Sequence, residues 1–270
     1  IPRTVAMTAF GALDVSTLTE LPKGRQPIST HVVLAAEKPS HMQRVWERVC
    51  EEVQQGHQVY VVVPRIASQD DKTEEAKTRP AVALEDLFDE LTSGPLADVR
   101  VEALHGQMSS AEKDEVMSRF KASPAEPNGI DVLISTTVIE VGVDVPNATM
   151  MVIMDADRFG ISQLHQLRGR VGRGAFPGLC LLVTETGPYS PARERLAAVA
   201  STTDGFELAA IDLEQRREGD VLGKEQSGMR SSLKLVSILR DEELLNVARD
   251  EAVSIVATDP TLEHHPSLAR

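Results

Sequence analysis

The chain has 270 residues, a formal net charge of -13, and 41% hydrophobic, 26% charged and 3% aromatic residues. That length suffices for one large domain or for one domain with an appendage, and the acidic balance excludes a surface that coats nucleic acid uniformly, though not a local basic site. One Trp and two Tyr are too few for a base-stacking platform of the single-strand-binding type, while two distant cysteines, Cys50 and Cys180, with no CxxC spacing, argue against a disulfide framework or a zinc site and fit a reducing compartment.

Residues 1–30 read as a helix remnant followed by an extended connector, punctuated by Pro22, Gly24 and Pro27. The chain opens at Ile1, without Met or a signal-peptide pattern, and reads as a piece of a longer protein. From there the pattern is regular. HVVLAA (31–36) is a short apolar strand. In the following segment Met42, Val45, Trp46, Val49 and Val53 share one helical face, with Ser40 as expected N-cap and Gly56 as C′ stop. QVYVVV (58–63) is a strand ended by Pro64, and the polar, aperiodic residues 67–80 read as a loop. An amphipathic helix (81–94) and a strand (99–104) follow. The next helix (109–120) opens on a capping box, Ser109 to Glu112. DVLIST (131–136), TMMVIMDA (149–156) and LCLLVT (179–184) are strands with almost no polar interruption. Continuous apolar strands alternating with amphipathic helices predict an α/β fold, a parallel sheet with helices on both faces. Beyond about residue 190 the strands stop and the chain reads as helices and turns, the last helix ending before Pro260. No apolar run reaches membrane-spanning length.

No GxxxxGK[ST] phosphate loop occurs, and no strand ends in DExH or DExD to hold magnesium. An α/β unit lacking both cannot cradle and cleave a nucleotide alone, so any ATP chemistry needs a partner domain. Against that background one segment stands out. Four arginines and no acid occur from Arg158 to Thr184, and Gln166, Gly169, Arg170 and Arg173 form QxxGRxxR. On a helix starting near Ser162, positions 166, 170 and 173 would share a face. Two guanidiniums there could stabilise charge developing on a γ-phosphate held elsewhere. A solvated basic helix end, or a set of salt bridges, would give the same spacing.

Three further stretches carry weaker signals. STTVIEVGVDVPNA (135–148) puts Thr136 and Thr137 at a strand end, where open parallel sheets bind ligands, and follows them with a turn containing Gly142 and Asp144. The alternative is an ordinary strand end with satisfied hydroxyls. ALHGQMSSAEK (103–113) sets His105 and Gly106 before a capped helix N-terminus, a feature that favours phosphate; a lone loop histidine is as readily structural. DGFELAAIDLEQRREGDVLGKEQSG (204–228) carries no chemistry that charge or spacing alone would flag.

Together these stretches resemble superfamily 2 helicases over nearly the whole chain. TTVIEVGVDVPNA resembles their motif V and QLHQLRGRVGRG their motif VI, while residues 204–228 resemble the translocation motif shared by the RecG and transcription-repair coupling families. The ending, from SSLKLVSILRDEELL onward, resembles the RecG family. The resemblance implies a RecA-like second motor domain over 29–190, preceded by the end of a first motor domain and a linker (1–28). A helical hairpin, translocation motif and C-terminal helices would fill 191–270.

It further implies an ATP-dependent DNA helicase acting on double-stranded and branched DNA, at stalled replication forks and Holliday-type junctions. Arg170 and Arg173 would be arginine fingers, with Gln166, Gly142 and Asp144 near the nucleotide. Thr136, Thr137, His105 and Gly106 would approach DNA, and Arg216 and Gln226 would couple translocation. ATP and Mg would be held mainly by a first motor domain outside this chain, with no metal site within it. That domain and an N-terminal wedge domain of the same protein would be its partners, no membrane would be involved, and the setting would be the bacterial cytoplasm near the nucleoid. Two departures stand out: Arg217 replaces the usual Gly after Arg216, and Arg65 alters an acidic-polar run to which no role is carried. A coupling-type translocase, or a non-catalytic module built on a motor fold, are the competing readings.

Overall fold

The structure, a computed structural model, describes residues 26–64, 83–122, 124–136, 144–215, 242–265 and 267–268. Thr137, Gly142, Arg65, Arg216, Arg217 and Gln226, the expected connector at 1–25 and the expected loop at 67–80 lie outside the described residues.

Among the described residues six strands form one sheet: β1 (Ile28–Leu34), β2 (Gln58–Val62), β3 (Val101–Leu104), β4 (Val132–Ser135), β5 (Ala148–Ile153) and β6 (Gly178–Thr184). Their order is β1-β6-β5-β2-β4-β3, and every pairing is parallel. The helices are α1 (Pro39–Gln54), α2 (Leu84–Ser93), α3 (Ser110–Lys121), α4 (Ile161–Arg168), α5 (Pro191–Ser201), α6 (Gly205–Gln215) and α7 (Glu242–Thr258), with a 3-10 turn at Ala156–Arg158. The chain steps across the sheet in one direction from β1 to β3 and returns from β3 to β6. Because parallel crossovers are right-handed, that reversal sends the early and late helices to opposite faces.

The core follows this division. Val59, Val61, Val132, Ile134, Met150 and Val152 pack with Val45, Trp46 and Val49 of α1 and Leu84, Leu87 and Leu91 of α2. The alternate residues Tyr60, Leu133, Met151 and Cys180 point to the other face, in register across four strands. There Phe120 of α3 meets the Tyr60 ring edge-on at 4.9 Å. Neither cysteine is in a disulfide. Burial pushes the Cys180 thiol up to about 12, against the opposing pull of Arg168, so at neutral pH it behaves as a small apolar side chain.

The capping box at Ser109 forms as its spacing predicts: Glu112 N donates to Ser109 Oγ and Ser109 N to Glu112 Oε2 (3.3 and 2.7 Å). Gly56 follows α1 with φ +80°, a conformation that favours glycine. At the other end α1 starts one residue before the expected cap. Its N-cap is Lys38, whose ammonium has no acceptor to offer and makes no side-chain cap, and Pro39 takes the first helical position, where a missing N–H costs nothing. Strand β1 is displaced toward the N-terminus of its expected span because its partner β6 begins at Gly178, opposite Ile28. Similarly β5 stops at Ile153, and Asp155 turns the chain with φ +46°.

On the exposed side of α1, Arg44 and Arg48 hold the Glu51 carboxylate down to about 2, Arg44 at 2.7 Å and Arg48 at 2.9 Å. A carboxylate lowered on folding stabilises above its ordinary value of 4.5, and that contribution is lost as pH falls toward 2. Glu51→Gln is therefore expected to flatten the acid limb of the thermal melt between those pH values, most visibly at low salt. Superimposable acid limbs for the two proteins would remove the triad as a source of acid sensitivity.

The chain divides into two compact units between Leu208 and Ala209, inside α6. The whole sheet lies in the unit of residues 21–208. In the other unit, Asp259 closes the end of α7 by accepting from the backbone N–H groups of Glu263 and His264 (2.9 and 2.8 Å). No helix among the described residues is long and apolar enough to cross a membrane.

Candidate functional site

The candidate residues collect at opposite edges of the sheet. At the C-terminal edge, β3 and β4 are neighbours, and the backbone N–H of Thr136 donates to Leu104 O at 3.2 Å. This sets Thr136 beside His105 and Gly106, which follow Leu104 directly. The Ser135 hydroxyl is occupied by the Thr136 carbonyl (2.6 Å), and the Gly106 carbonyl accepts from Lys113 Nζ (3.2 Å). The His105 Nδ1 is buried and has no hydrogen-bond partner among the described residues. The neighbouring N-terminus of α3 is already served by Ser109 and Glu112, and the Ser109 hydroxyl and backbone N–H hold Glu112 below its usual carboxylate range. A phosphate approaching this edge therefore meets Thr136 and His105 rather than a bare helix end.

The N-terminal edge carries the arginines. Helix α4 ends at Arg168, with Gly169 as its cap. The expectation that Gln166, Arg170 and Arg173 share one helical face is corrected: only Gln166, which is exposed, stands on the helix, and both arginines lie in the turns beyond it. The reason lies in the turn that follows. Gly172 has φ +66°, and a Cβ there would sit 3.0 Å from Ile28 Cγ1 and 3.3 Å from Gly178. Only a glycine lets this turn pass so close to the starts of β1 and β6. Val171 is fully buried and anchors the turn, leaving Arg170 half-buried and Arg173 exposed.

Beyond Gly172 the turn closes on the segment that leads into β5. Arg173 Nε donates to Gly169 O at 2.8 Å, and its Nη1 lies 3.5 Å from Asp144 Oδ1. A Cβ on Gly174 would run into the Pro146 carbonyl oxygen, so the two segments touch backbone to backbone. The Arg173 and Asp144 side chains remain 32% and 60% exposed. A pair this long and this wet contributes at most ~1 kcal/mol, so an incoming anion can replace Asp144 at little cost. The far end of the turn is fastened by Phe176, whose ring lies 4.5 Å from that of His57. His57 Nδ1 is in turn 2.9 Å from the buried Glu52 carboxylate, which also accepts from Thr149 and pairs with Arg48.

Arg168 belongs to neither edge. It is 2% exposed, and its Nη1 donates to Val199 O and Thr202 O (2.6 and 2.8 Å). Its Nη2 lies 2.9 Å from His165 Nδ1. It supplies donors to carbonyls at the C-terminal end of α5, a structural task.

One group near the arginines carries no sequence signal at all. Tyr60, in the middle of β2, is fully buried, and burial raises its phenol above the ordinary range; Arg170 and then Arg173 oppose that rise and Asp144 adds to it. These three charges of the N-terminal edge thus act on a single core hydroxyl. In sequence it is one residue of the apolar run VYVVV.

Chemically, this edge offers two forked cations on a glycine-hinged turn, suited to phosphate oxygens. Among the described residues no three His, Cys, Asp or Glu side chains are grouped to hold a metal ion.

Comparison with known proteins places these features among relatives. The helicase conserved C-terminal domain family matches residues 41–175, and the C-terminal part of RecG domain 3 matches residues 202–268. The ATP-dependent DNA helicase RecG of Mycobacterium bovis is 52% identical over 264 residues, which is 97% of this chain and 35% of that protein. The protein of the same description from Bacillus subtilis is 43% identical over 96% of this chain and 35% of its own length. The chain therefore spans about a third of the length of these curated relatives. Among solved structures, RecG bound to a three-way DNA junction superposes with a TM-score of 0.62 at 36% identity, covering 91% of this chain and 29% of that one.

Proposed function

The chain belongs to the helicase conserved C-terminal domain family, in its RecG branch, and from that membership we propose that it is the C-terminal motor portion of an ATP-dependent helicase acting on branched DNA. The observation that carries the reading is the closure of Arg173–Gly174 onto Asp144–Pro146. It joins two motifs far apart in sequence into one cationic edge built to receive phosphate from outside the chain.

In this reading residues 29–190 are the second motor domain, 1–28 the end of the first and a linker, and 191–270 the helical hairpin, translocation motif and terminal helices. Arg170 and Arg173 act on the γ-phosphate of ATP whose Mg²⁺ and phosphate loop belong to the first motor domain. Gln166, Gly142 and Asp144 lie by the nucleotide. Thr136, His105 and Gly106 face the DNA backbone from the opposite edge of the sheet, Thr137 contacts the same backbone, and Arg216 and Gln226 link nucleotide turnover to movement of the duplex. The partners are double-stranded and branched DNA, the first motor domain and an N-terminal wedge domain, in a bacterial cytoplasm near the nucleoid. The 202–268 match supports this over a coupling-type translocase.

The test compares the full-length protein with the 270-residue chain. The full-length protein is expected to hydrolyse ATP faster when a three-way DNA junction is added, and the chain alone is expected to hydrolyse none. An unstimulated full-length protein, or a chain as active as the whole, would overturn the reading.

A further inference from the structure

Arg173 opens a short loop, residues 173–177, between Gly172 and the start of β6. Three contacts shape that loop. At its base Gly172 and Gly178 pack on each other, and a Cβ on Gly178 would lie 3.2 Å from Gly172 Cα. On one side Gly174 lies against the Pro146 carbonyl. At its tip the Phe176 ring lies 4.5 Å from the His57 ring, tilted by 52°. The first two are close approaches of backbone, and the Arg173–Asp144 pair is too long and too wet to fasten anything. The ring contact is a side-chain fastening, and Phe176 is still 49% exposed. Half of its apolar surface stays in water, so its share in the stability of the fold is small.

The ring that receives Phe176 is held from three elements. His57, in the turn between α1 and β2, is buried, and its Nδ1 is 2.9 Å from Glu52 Oε2 near the end of α1. The same carboxylate pairs with Arg48 and accepts from the Thr149 hydroxyl at 2.5 Å. Thr149 stands where β5 slips by one residue against β2, with Gln58 opposite Ala148 and Val59 opposite Met150. Such a bulge re-aims the side chain between the two pairs. The turn also holds the segment that carries Asp144: Gln58 N donates to Asn147 O (3.0 Å), and Asn147 Nδ2 donates to Gly56 O (2.9 Å). Both halves of the cationic edge are therefore tied to residues 56–58.

We propose that Phe176 and His57 are positioning residues for the arginine finger: the Phe176 ring, seated on a His57 that Glu52 holds in one orientation, latches the loop and so sets the direction from which Arg173 reaches a phosphate. A buried carboxylate of this kind adds little net stability, and what it secures is a single arrangement of the groups around it. Arg173 is three residues from the latch, and Gly172 and Gly174 on either side of it leave the backbone free to turn. Without the ring contact the loop keeps its base and loses its tip, so the guanidinium is presented from several directions, few of them productive. In this role neither residue touches the nucleotide. The inference rests on the arginine-finger reading of Arg173.

The experiment uses the full-length protein with Phe176→Ala, Phe176→Tyr, His57→Ala, the double alanine variant of these two positions, and Arg173→Ala. The readouts are kcat and KM for ATP at saturating three-way junction, and thermal unfolding. Phe176→Ala is expected to lower kcat about tenfold, the order of cost of a small misplacement near reacting groups, with KM for ATP changed by less than about twofold. Its melting temperature should stay within a few degrees of the parent's, since the ring is half in water. Phe176→Tyr keeps the ring and should stay within about twofold of the parent in kcat. In the His57→Ala background Phe176→Ala should cost nothing further, because the two residues act through one contact. Should His57→Ala fail to fold, the alanine and tyrosine variants of Phe176 decide by themselves.

A kcat of Phe176→Ala within about twofold of the parent, a tyrosine variant as slow as the alanine one, or additive losses in the double variant would each overturn the proposal. If Arg173→Ala abolishes turnover while Phe176→Ala leaves it intact, only this inference fails. If Arg173→Ala is itself parent-like, the arginine-finger reading fails with it.

Discussion

Replacing Arg173 by alanine in the full-length protein is expected to cut DNA-stimulated ATP turnover by about 10³-fold or more, the range in which arginine fingers act, while junction affinity stays within a few-fold. Arg170→Ala should do the same. The folded state has little at stake in Arg173, whose contacts are the Gly169 carbonyl and a loose, exposed approach to Asp144. What the substitution removes is charge and a planar fork of the geometry that suits phosphate oxygens. Arg173→Lys is therefore expected to recover little, since an ammonium on a flexible stem cannot reproduce the forked geometry.

The check is kcat at saturating ATP and saturating three-way junction, with junction binding measured separately at fixed salt, because electrostatic affinity for DNA is strongly salt-dependent. Parent-like turnover in both alanine variants would remove the catalytic role of this edge. A loss confined to junction binding would instead mark the arginines as DNA contacts.

Arg168→Ala should show the opposite pattern. The side chain is buried, and its polar partners include two carbonyls at the end of α5 and the His165 ring. Hydrogen bonds from a charged donor are worth about 1.5–3 kcal/mol each, and removing this one leaves carbonyls without donors. A destabilisation of about 3 kcal/mol or more is expected in the unit of residues 21–208. Trp46 is the single tryptophan and lies buried in that unit, so its fluorescence reports the loss directly. The urea midpoint should fall with the slope unchanged. Turnover per folded molecule should suffer far less than in Arg173→Ala, since Arg168 points away from the cationic edge. An unchanged midpoint would show that water replaces the guanidinium without loss.

These two arginines stand five residues apart, and the contrast between them tells what was readable beforehand. QxxGRxxR marks a dense cationic segment, and with no phosphate loop in the same sequence it reads as half of the proposed site. The spacing also suggests a common helical face for Gln166, Arg170 and Arg173, which the structure corrects. Helical periodicity cannot register that Gly172 must turn with positive φ against Gly178 and Ile28, because those contacts come from strand pairing at the sheet edge. Tyr60 was legible as core and illegible as anything more. Its hydroxyl is buried without a hydrogen-bond partner among the described residues, which only the packing of β2 in the sheet reveals. The Glu52, His57 and Phe176 chain was missed for the same reason: nothing in a single stretch announces it.

By itself the sequence determined the parts that depend on near neighbours. The strand-helix alternation, the capping box of α3 and the glycine stop of α1 are decided by backbone hydrogen bonding and side-chain geometry within a few residues. The parallel sheet follows from strands apolar on both faces, and the family from the resemblance of the quoted motifs to those of known helicases. Only the tertiary structure decided which arginine is structural and which faces outward, and which charges gather around Tyr60. Only it brought His105 beside Thr136 at one edge of the sheet and Asp144 beside Arg173 at the other. Those outcomes are set by strand order, β1-β6-β5-β2-β4-β3, which sends each loop to one end of a shared sheet. Sequence distance carries no information about that proximity, because packing rather than connectivity holds the edges together.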